Sequence, residues 1–202
     1  MNFWWKSIYQ VDSPISGQIE VIDSGHTRKL LINRTTQSTT RPARGSVWTA
    51  LIPPDRVSSA LILGLGGGTV AKLLREKWPE IQIVGYELDE AVVQVAASFL
   101  DLDPETEVRI ADARDAFSTK EKFDLIVVDT YSKLDYPDFA KEPTFLTAVK
   151  NKLNPHGLAS FNRIPLSSNK DELENFERDL KQVFAQVWRQ KARYNLVFWG
   201  KI

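Results

Sequence analysis

The chain has 202 residues, of which 43% are hydrophobic, and 26 Lys plus Arg stand against 26 Asp plus Glu. This suits one substantial core with a small appended element, and it excludes a disordered chain. Zero formal charge excludes a strong global pull on nucleic acid or anionic lipid, and the lack of cysteine excludes disulfides, thiolate metal sites and cysteine nucleophiles.

From the N-terminus, Met1–Gln10 holds Phe3, Trp4, Trp5 and Ile8 with no basic stretch or small-residue cleavage site, so no signal peptide is expected. Gln18–Ile22 and Arg28–Ile32 are rich in β-branched and aliphatic residues and flank the turn-forming Asp23-Ser24-Gly25-His26. They predict a β-hairpin, joined by a strand near Ser7–Val11. The Ser-, Thr- and Arg-dense stretch Arg34–Ser46 marks a compositional break. We therefore divide the chain into a small β-domain at 1–50 and a second domain at 51–202.

Beyond the break, strand and helix alternate. Ala60–Leu63 is an apolar run of strand length. Thr69–Trp78 carries Val70, Leu73, Leu74 and Trp78 at helical spacing and stops at Pro79. A strand at 81–86, a helix at 89–100 capped by Asp89, a strand at 108–110 and a buried strand at 123–128 follow. A helix at 144–153 ends in the turn Asn154-Pro155-His156-Gly157. A strand at 158–161, a helix at 171–182 and strands at 183–188 and 195–199 complete the chain. The fold class is α/β: a doubly wound, mostly parallel seven-stranded sheet with a small N-terminal β-hairpin domain. Ligands of such sheets bind beyond the carboxyl ends of the strands.

The residues at those ends define the candidate site. Gly64-Leu65-Gly66-Gly67-Gly68-Thr69 follows a strand and opens a helix, so its backbone can approach a ligand at a helix start, although a tight structural turn uses the same residues. Glu87 lies 23 residues beyond Gly64, where a carboxylate can accept from both ribose hydroxyls. A solvated strand-end acid is the alternative. Asp112, with Ala113, can accept from an exocyclic amine such as that of adenine, or cap a helix. Asp129 emerges from the apolar Leu125–Val128, placed to hold a cationic amine or take its proton, or else to cap a turn. No Walker lysine follows the glycines, His26 and His156 sit in turns, and no cluster has metal-ligand spacing, so no metal is expected.

With these motifs the chain resembles the S-adenosylmethionine-binding methyltransferase fold and, within it, the spermidine synthase group, over residues 6–165. The resemblance rests on Leu63–Gly68, Glu87-Leu88-Asp89, Asp112-Ala113, Asp129, the turn Leu153–Gly157, and a small β-domain leading into Gln37-Ser38-Thr39. It implies that Gly64, Gly66, Gly67 and Gly68 line the nucleoside and its methionine tail. It also implies that Glu87 and Leu88 hold the ribose side, that Asp112 and Ala113 border adenine, that Gln37 lies near the nucleoside, and that Asp129 is the general base. We add Tyr131 as a residue shaping the catalytic pocket. The implied cofactor is S-adenosylmethionine or its decarboxylated form, and the partner is a small amine or other nucleophile. A homodimer covering Phe3, Trp4 and Trp5 and a cytoplasmic location are also expected, with no nucleic acid or membrane partner.

Three departures from the group stand out. Gly67 replaces an Asp that holds the aminopropyl amine, Ser132 replaces a second Asp, and Arg41 and Arg44 stand where a Tyr/Glu element is expected. Asp135 or Asp138 are candidates to compensate. Burying a polyamine needs paired carboxylates. On this reading methyl transfer is preferred, Gly67 removing a repulsion against the donor's carboxylate. The alternatives are an aminopropyltransferase with a rearranged acceptor site and a non-catalytic nucleoside-binding protein. The loop Tyr131–Glu142, with Pro137 and Pro143 at its end, is read as an ordered lid.

Overall fold

A computed structural model describes residues 4–131, 136–166 and 170–202. Phe3, Ser132 and Asp135 lie outside the described residues, as does part of the loop read as a lid.

The small sheet is an antiparallel meander of β1 (Lys6–Ser13), β2 (Gly17–Asp23), β3 (Arg28–Ile32) and β4 (Thr35–Thr39), in the order β1-β2-β3-β4. The predicted hairpin is thus extended by a fourth strand that carries Gln37. Ile19, Val21 and Leu30 on one face are fully buried against Val92, Val95 and Ala96 of the helix α3 (Glu90–Phe99) and Leu100 at its C-terminal cap. Each such side chain contributes roughly 2 kcal/mol on burial, so a sheet too small to bury itself is held by the larger unit.

The large sheet has seven strands: β5 (Ser59–Leu63), β6 (Gln82–Glu87), β7 (Glu107–Ile110), β8 (Phe123–Val128), β9 (Leu153–Arg163), β10 (Gln186–Ala192) and β11 (Asn195–Lys201). Their order is β10-β11-β9-β8-β5-β6-β7. β5 to β9 run parallel, and β11 is antiparallel to both β9 and β10. Leu125, Ile126, Val127 and Val128 are wholly buried, as a central parallel strand covered on both faces requires. One face packs under α4 (Pro143–Asn151) and α5 (Lys170–Val183) around Phe145, Leu146, Phe161 and Phe176. The other packs under α2 (Thr69–Lys77) and the short α1 (Val47–Ala50) around Leu51, Ile62, Leu74 and Val127. Chain order reverses between β5 and β8, which places the switch point beside the glycine turn.

Two predicted boundaries shift. Val183 ends α5, and β10 begins only at Gln186, because Phe184 turns inward to the core between them. The turn at Asn154–Gly157 is bulged out within β9. Leu153 pairs with Phe123 and Leu158 with Leu125, and His156 takes a φ of 66° to make the detour.

Candidate active site

The carboxyl ends of β5, β6, β7 and β8 meet at a cavity of about 250 Å³. At its centre, Gly64 has a φ of 86°, and a Cβ there would lie 2.4 Å from the carbonyl oxygen of Asp129. Only glycine lets β5 turn this close to the end of β8. The Gly64 and Leu65 amides both donate to the carbonyl of Tyr86, at 3.0 and 2.9 Å. The turn is therefore tied to β6 one residue before Glu87.

Glu87 ends β6 with its carboxylate in the cavity. Oε2 accepts from the Gly66 amide at 2.8 Å, and Oε1 accepts from the Asp89 amide at 3.1 Å. Burial raises its pKa, while the amides of Gly66, Asp89 and Leu88 pull the other way. Each oxygen keeps a lone pair for a further donor.

Asp129 follows β8. Burial lifts its carboxyl from 3.8 to about 6, against an opposing hydrogen bond in which Asn162 Nδ2 donates to Oδ1 at 2.7 Å. Asn162 is itself held by Asn195, whose Nδ2 donates to its Oδ1 at 2.8 Å. One oxygen of Asp129 is thus fixed and the other is left for a proton donor, on a group poised near neutrality.

The other predicted residues divide. Gln37, Leu88, Asp112, Ala113 and Tyr131 all line the cavity with Gly64, Gly66, Glu87 and Asp129. Asp112 is also the cap of a 3-10 helix at Ala113–Ser118, accepting from the Arg114 amide at 2.8 Å, and the Arg114 guanidinium holds its carboxyl below the ordinary value. The cap reading of Asp112 is therefore met, and its carboxylate also lies at the cavity wall. The Tyr131 ring lines the cavity, but its hydroxyl is turned to β9, accepting from the Ile164 amide at 2.8 Å and donating to the Asn162 carbonyl at 3.3 Å.

Gly67 and Gly68 are not among the lining residues. A Cβ on Gly67 would fall 2.5 Å from Ser38 Cβ, and one on Gly68 would fall 2.4 Å from a Leu102 methyl. Gly67 therefore faces the small sheet, and its missing side chain removes nothing from the cavity. Arg41 and Arg44 are exposed and do not line it either. Asp138 is nearly fully exposed and pairs with Lys141 at 3.1 Å.

Sequence reasoning missed Ser16, Ile32, Trp48, Phe139 and Asn162. The first four complete the wall, and Asn162 holds the base. Their residue types carry no chemical signal, and each reaches the site from an element distant in sequence. Glu87, Asp112 and Asp129 are the ionised groups among the lining residues, which include no lysine, arginine or histidine among the described residues. Among the described residues there is also no cluster that could hold a metal, and no helix long and apolar enough to cross a membrane.

Comparisons with known proteins agree with this fold. Residues 60–157 match the family described as a methyltransferase domain. A curated relative from Bifidobacterium longum, named a probable polyamine aminopropyl transferase, is 33% identical over 129 residues, which is 62% of this chain and 29% of the relative. The eEF1A lysine and N-terminal methyltransferase of Danio rerio is 31% identical over 124 residues, 54% of this chain and 18% of that protein. A solved spermidine synthase in complex with the transition state analogue AdoDATO shares the fold, with a TM-score of 0.77 at 19% identity over 96% of this chain and 73% of that one. The chain spans less than half the length of the curated relatives it matches first.

Proposed function

We propose, for a spermidine synthase-like chain built on the S-adenosylmethionine-dependent methyltransferase fold, that it transfers an aminopropyl group from decarboxylated S-adenosylmethionine to a small amine. The observation that carries this reading is the charge of the cavity, whose described lining holds three carboxylates and no lysine, arginine or histidine. An intact S-adenosylmethionine brings a carboxylate, and no described lining residue is a cation to meet it. The decarboxylated donor and an amine acceptor bring only cations, which Glu87 and Asp129 favour. Gly67, Arg41 and Arg44 lie outside the cavity wall, which removes two of the three departures behind the preference for methyl transfer, and the third, Ser132, lies outside the described residues. The names of the relatives weigh toward aminopropyl transfer as well.

The cavity fits the nucleoside donor. The cradle at Gly64 excludes a Cβ, and Glu87 keeps free lone pairs beside it for the ribose hydroxyls. When bound, the donor supplies an electrophilic carbon on its sulfonium. Glu87, Gly64 and Gly66 orient that carbon toward the mouth of β8. Asp129 accepts the proton of the attacking amine as the new C–N bond forms and the C–S bond breaks, leaving a neutral thioether nucleoside. Little else is asked of the protein beyond positioning and exclusion of water.

The test is incubation with decarboxylated S-adenosylmethionine and putrescine, followed by mass spectrometry for spermidine and methylthioadenosine. Product formation that is lost in Asp129→Asn supports the reading. Tighter calorimetric binding of S-adenosylmethionine than of its decarboxylated form overturns the donor assignment and restores methyl transfer. Nucleoside binding with no turnover on amines, thiols or hydroxyls returns the chain to a non-catalytic binder. The reading extends to a homodimer through the N-terminal edge, where Trp4 and Trp5 before β1 and Ile8 and Tyr9 on it are exposed. A monomer mass in light scattering removes that part.

A further inference from the structure

The turn between β1 and β2 is built more firmly than a hairpin turn needs. Ser13 Oγ accepts from the Ile15 and Ser16 amides at 3.1 and 3.3 Å and donates to Asp89 Oδ2 at 2.5 Å. The Ser16 amide also donates to Asp89 Oδ2, at 3.2 Å. On the other side, Asn33 Nδ2 donates to the Ser16 carbonyl at 2.8 Å and its Oδ1 accepts from the Gln18 amide at 3.3 Å. Ile15 and Ser16, so fixed, line the cavity that Glu87 also lines.

Asp89 joins this turn to the donor site. It is 3% exposed, and its Oδ1 caps α3 by accepting from the Ala91 amide at 3.0 Å. Its own amide donates to Glu87 Oε1 at 3.1 Å. One residue therefore starts the helix, holds the Glu87 carboxylate by its backbone and fastens a turn of the other sheet by its side chain. A simple N-cap explains only the bond to Ala91. Burial opposes the charge of Asp89, but the donors from Ser13, Ser16 and Ala91 prevail and hold the carboxyl below its ordinary value.

We infer that Asp89 is a positioning residue that clamps the Ser13–Gly17 turn over the nucleoside, so that the small sheet forms part of the donor site. This rests on the nucleoside-donor reading above. The clamp makes Ile15 and Ser16 a preformed wall, so the donor need not order a loose turn when it binds.

Three variants separate the clamp from the fold. Asp89→Asn keeps a side chain equally good as an N-cap, so α3 is retained. Its amide nitrogen, however, faces the Ser16 amide donor to donor. Ser13→Ala removes the hydroxyl, and Ser13→Thr restores it. The measurement is calorimetric titration with methylthioadenosine, with a thermal melt of each unliganded variant. Expected is a loss of affinity of about tenfold in Asp89→Asn and about threefold in Ser13→Ala, with Ser13→Thr within about twofold of the parent. Should Asp89→Asn fail to fold, the Ser13 pair carries the test. Parent-like binding in Asp89→Asn, or equal losses in Ser13→Ala and Ser13→Thr, overturns the clamp and leaves the nucleoside site standing. A parent protein that binds no nucleoside overturns both.

Discussion

The strand tips of the large sheet and the edge of the small sheet both wall the same cavity, yet they do so by different means. The tips present carboxylates, at Glu87, Asp112 and Asp129, each delivered by the strand that precedes it. The small sheet presents Ile15, Ser16, Ile32, Gln37 and Ser38, none of which is ionised. Chemistry resides at the tips, and shape is supplied from the small sheet. Removing a group at a tip should therefore change rate or affinity, whereas removing one on the small sheet should change how well the cavity is held.

The largest expected effect is at Asp129. Asp129→Asn should lower turnover by roughly 10²–10⁴-fold, the range for loss of a positioned general base. It should also stabilise the protein at neutral pH. The carboxyl titrates at about 6 in the fold against 3.8 ordinarily, so its contribution is present below about pH 4 and is lost as pH rises through 6. At pH 8 the ionised group costs about 3 kcal/mol, which the amide removes, raising the melting temperature. The parent rate should rise with pH through about 6 and then level off. A variant that melts lower than the parent at pH 8 would show that Asp129 is a structural acid, and the contrast between the two regions would fail.

Next is Glu87→Gln, which should weaken methylthioadenosine about tenfold or more by calorimetry. The amide keeps one acceptor oxygen but turns its nitrogen toward one of the two backbone amides now bound at 2.8 and 3.1 Å. Gly64→Ala tests the turn between the tips. The φ of 86° and the 2.4 Å approach to the Asp129 carbonyl leave no room for a methyl, so denaturant unfolding should show a loss of about 3 kcal/mol. A loss below 1 kcal/mol would mean that β5 and β8 are less closely held than their geometry shows.

The same division explains what could be read in advance. Parallel strands buried on both faces, such as Phe123–Val128, announce themselves as apolar runs, and the acids that follow them are placed by the fold itself. So the sheet and the positions of Glu87, Asp112 and Asp129 were legible. β4 was not, because Thr35-Thr36-Gln37-Ser38-Thr39 has no apolar alternation, although Ser38 and Thr39 are buried. Their burial is offset by hydrogen bonds to the glycine turn and α2, contacts some 30 residues away that no local pattern records. Gly67 was misjudged for the same reason. Its neighbour in space is Ser38, and only the packed structure shows that a side chain there would point out of the cavity. Asn162, an unremarkable strand residue, holds Asp129 across two adjacent strands.

The smallest effect probes the seam itself. Ser38 Oγ accepts from the Gly67 amide at 2.8 Å, while Thr69 Oγ1 accepts from the Thr39 amide at 2.9 Å and donates to the Thr39 carbonyl at 3.0 Å. Ser38 is 2% exposed and Thr69 4%, so water is excluded from replacing either hydroxyl. Ser38→Ala and Thr69→Val should each cost about 1–2 kcal/mol, as a buried amide loses its partner. The two contacts join the same pair of elements one residue apart, so once one is broken the seam has partly opened and the second has less to lose. The double variant should therefore cost less than the two singles added together, by about 0.5–1 kcal/mol. Strict additivity in denaturant unfolding would mean that the two hydroxyls act separately, that β4 is only laid against the glycine turn, and that the small sheet does not hold the cavity as a unit.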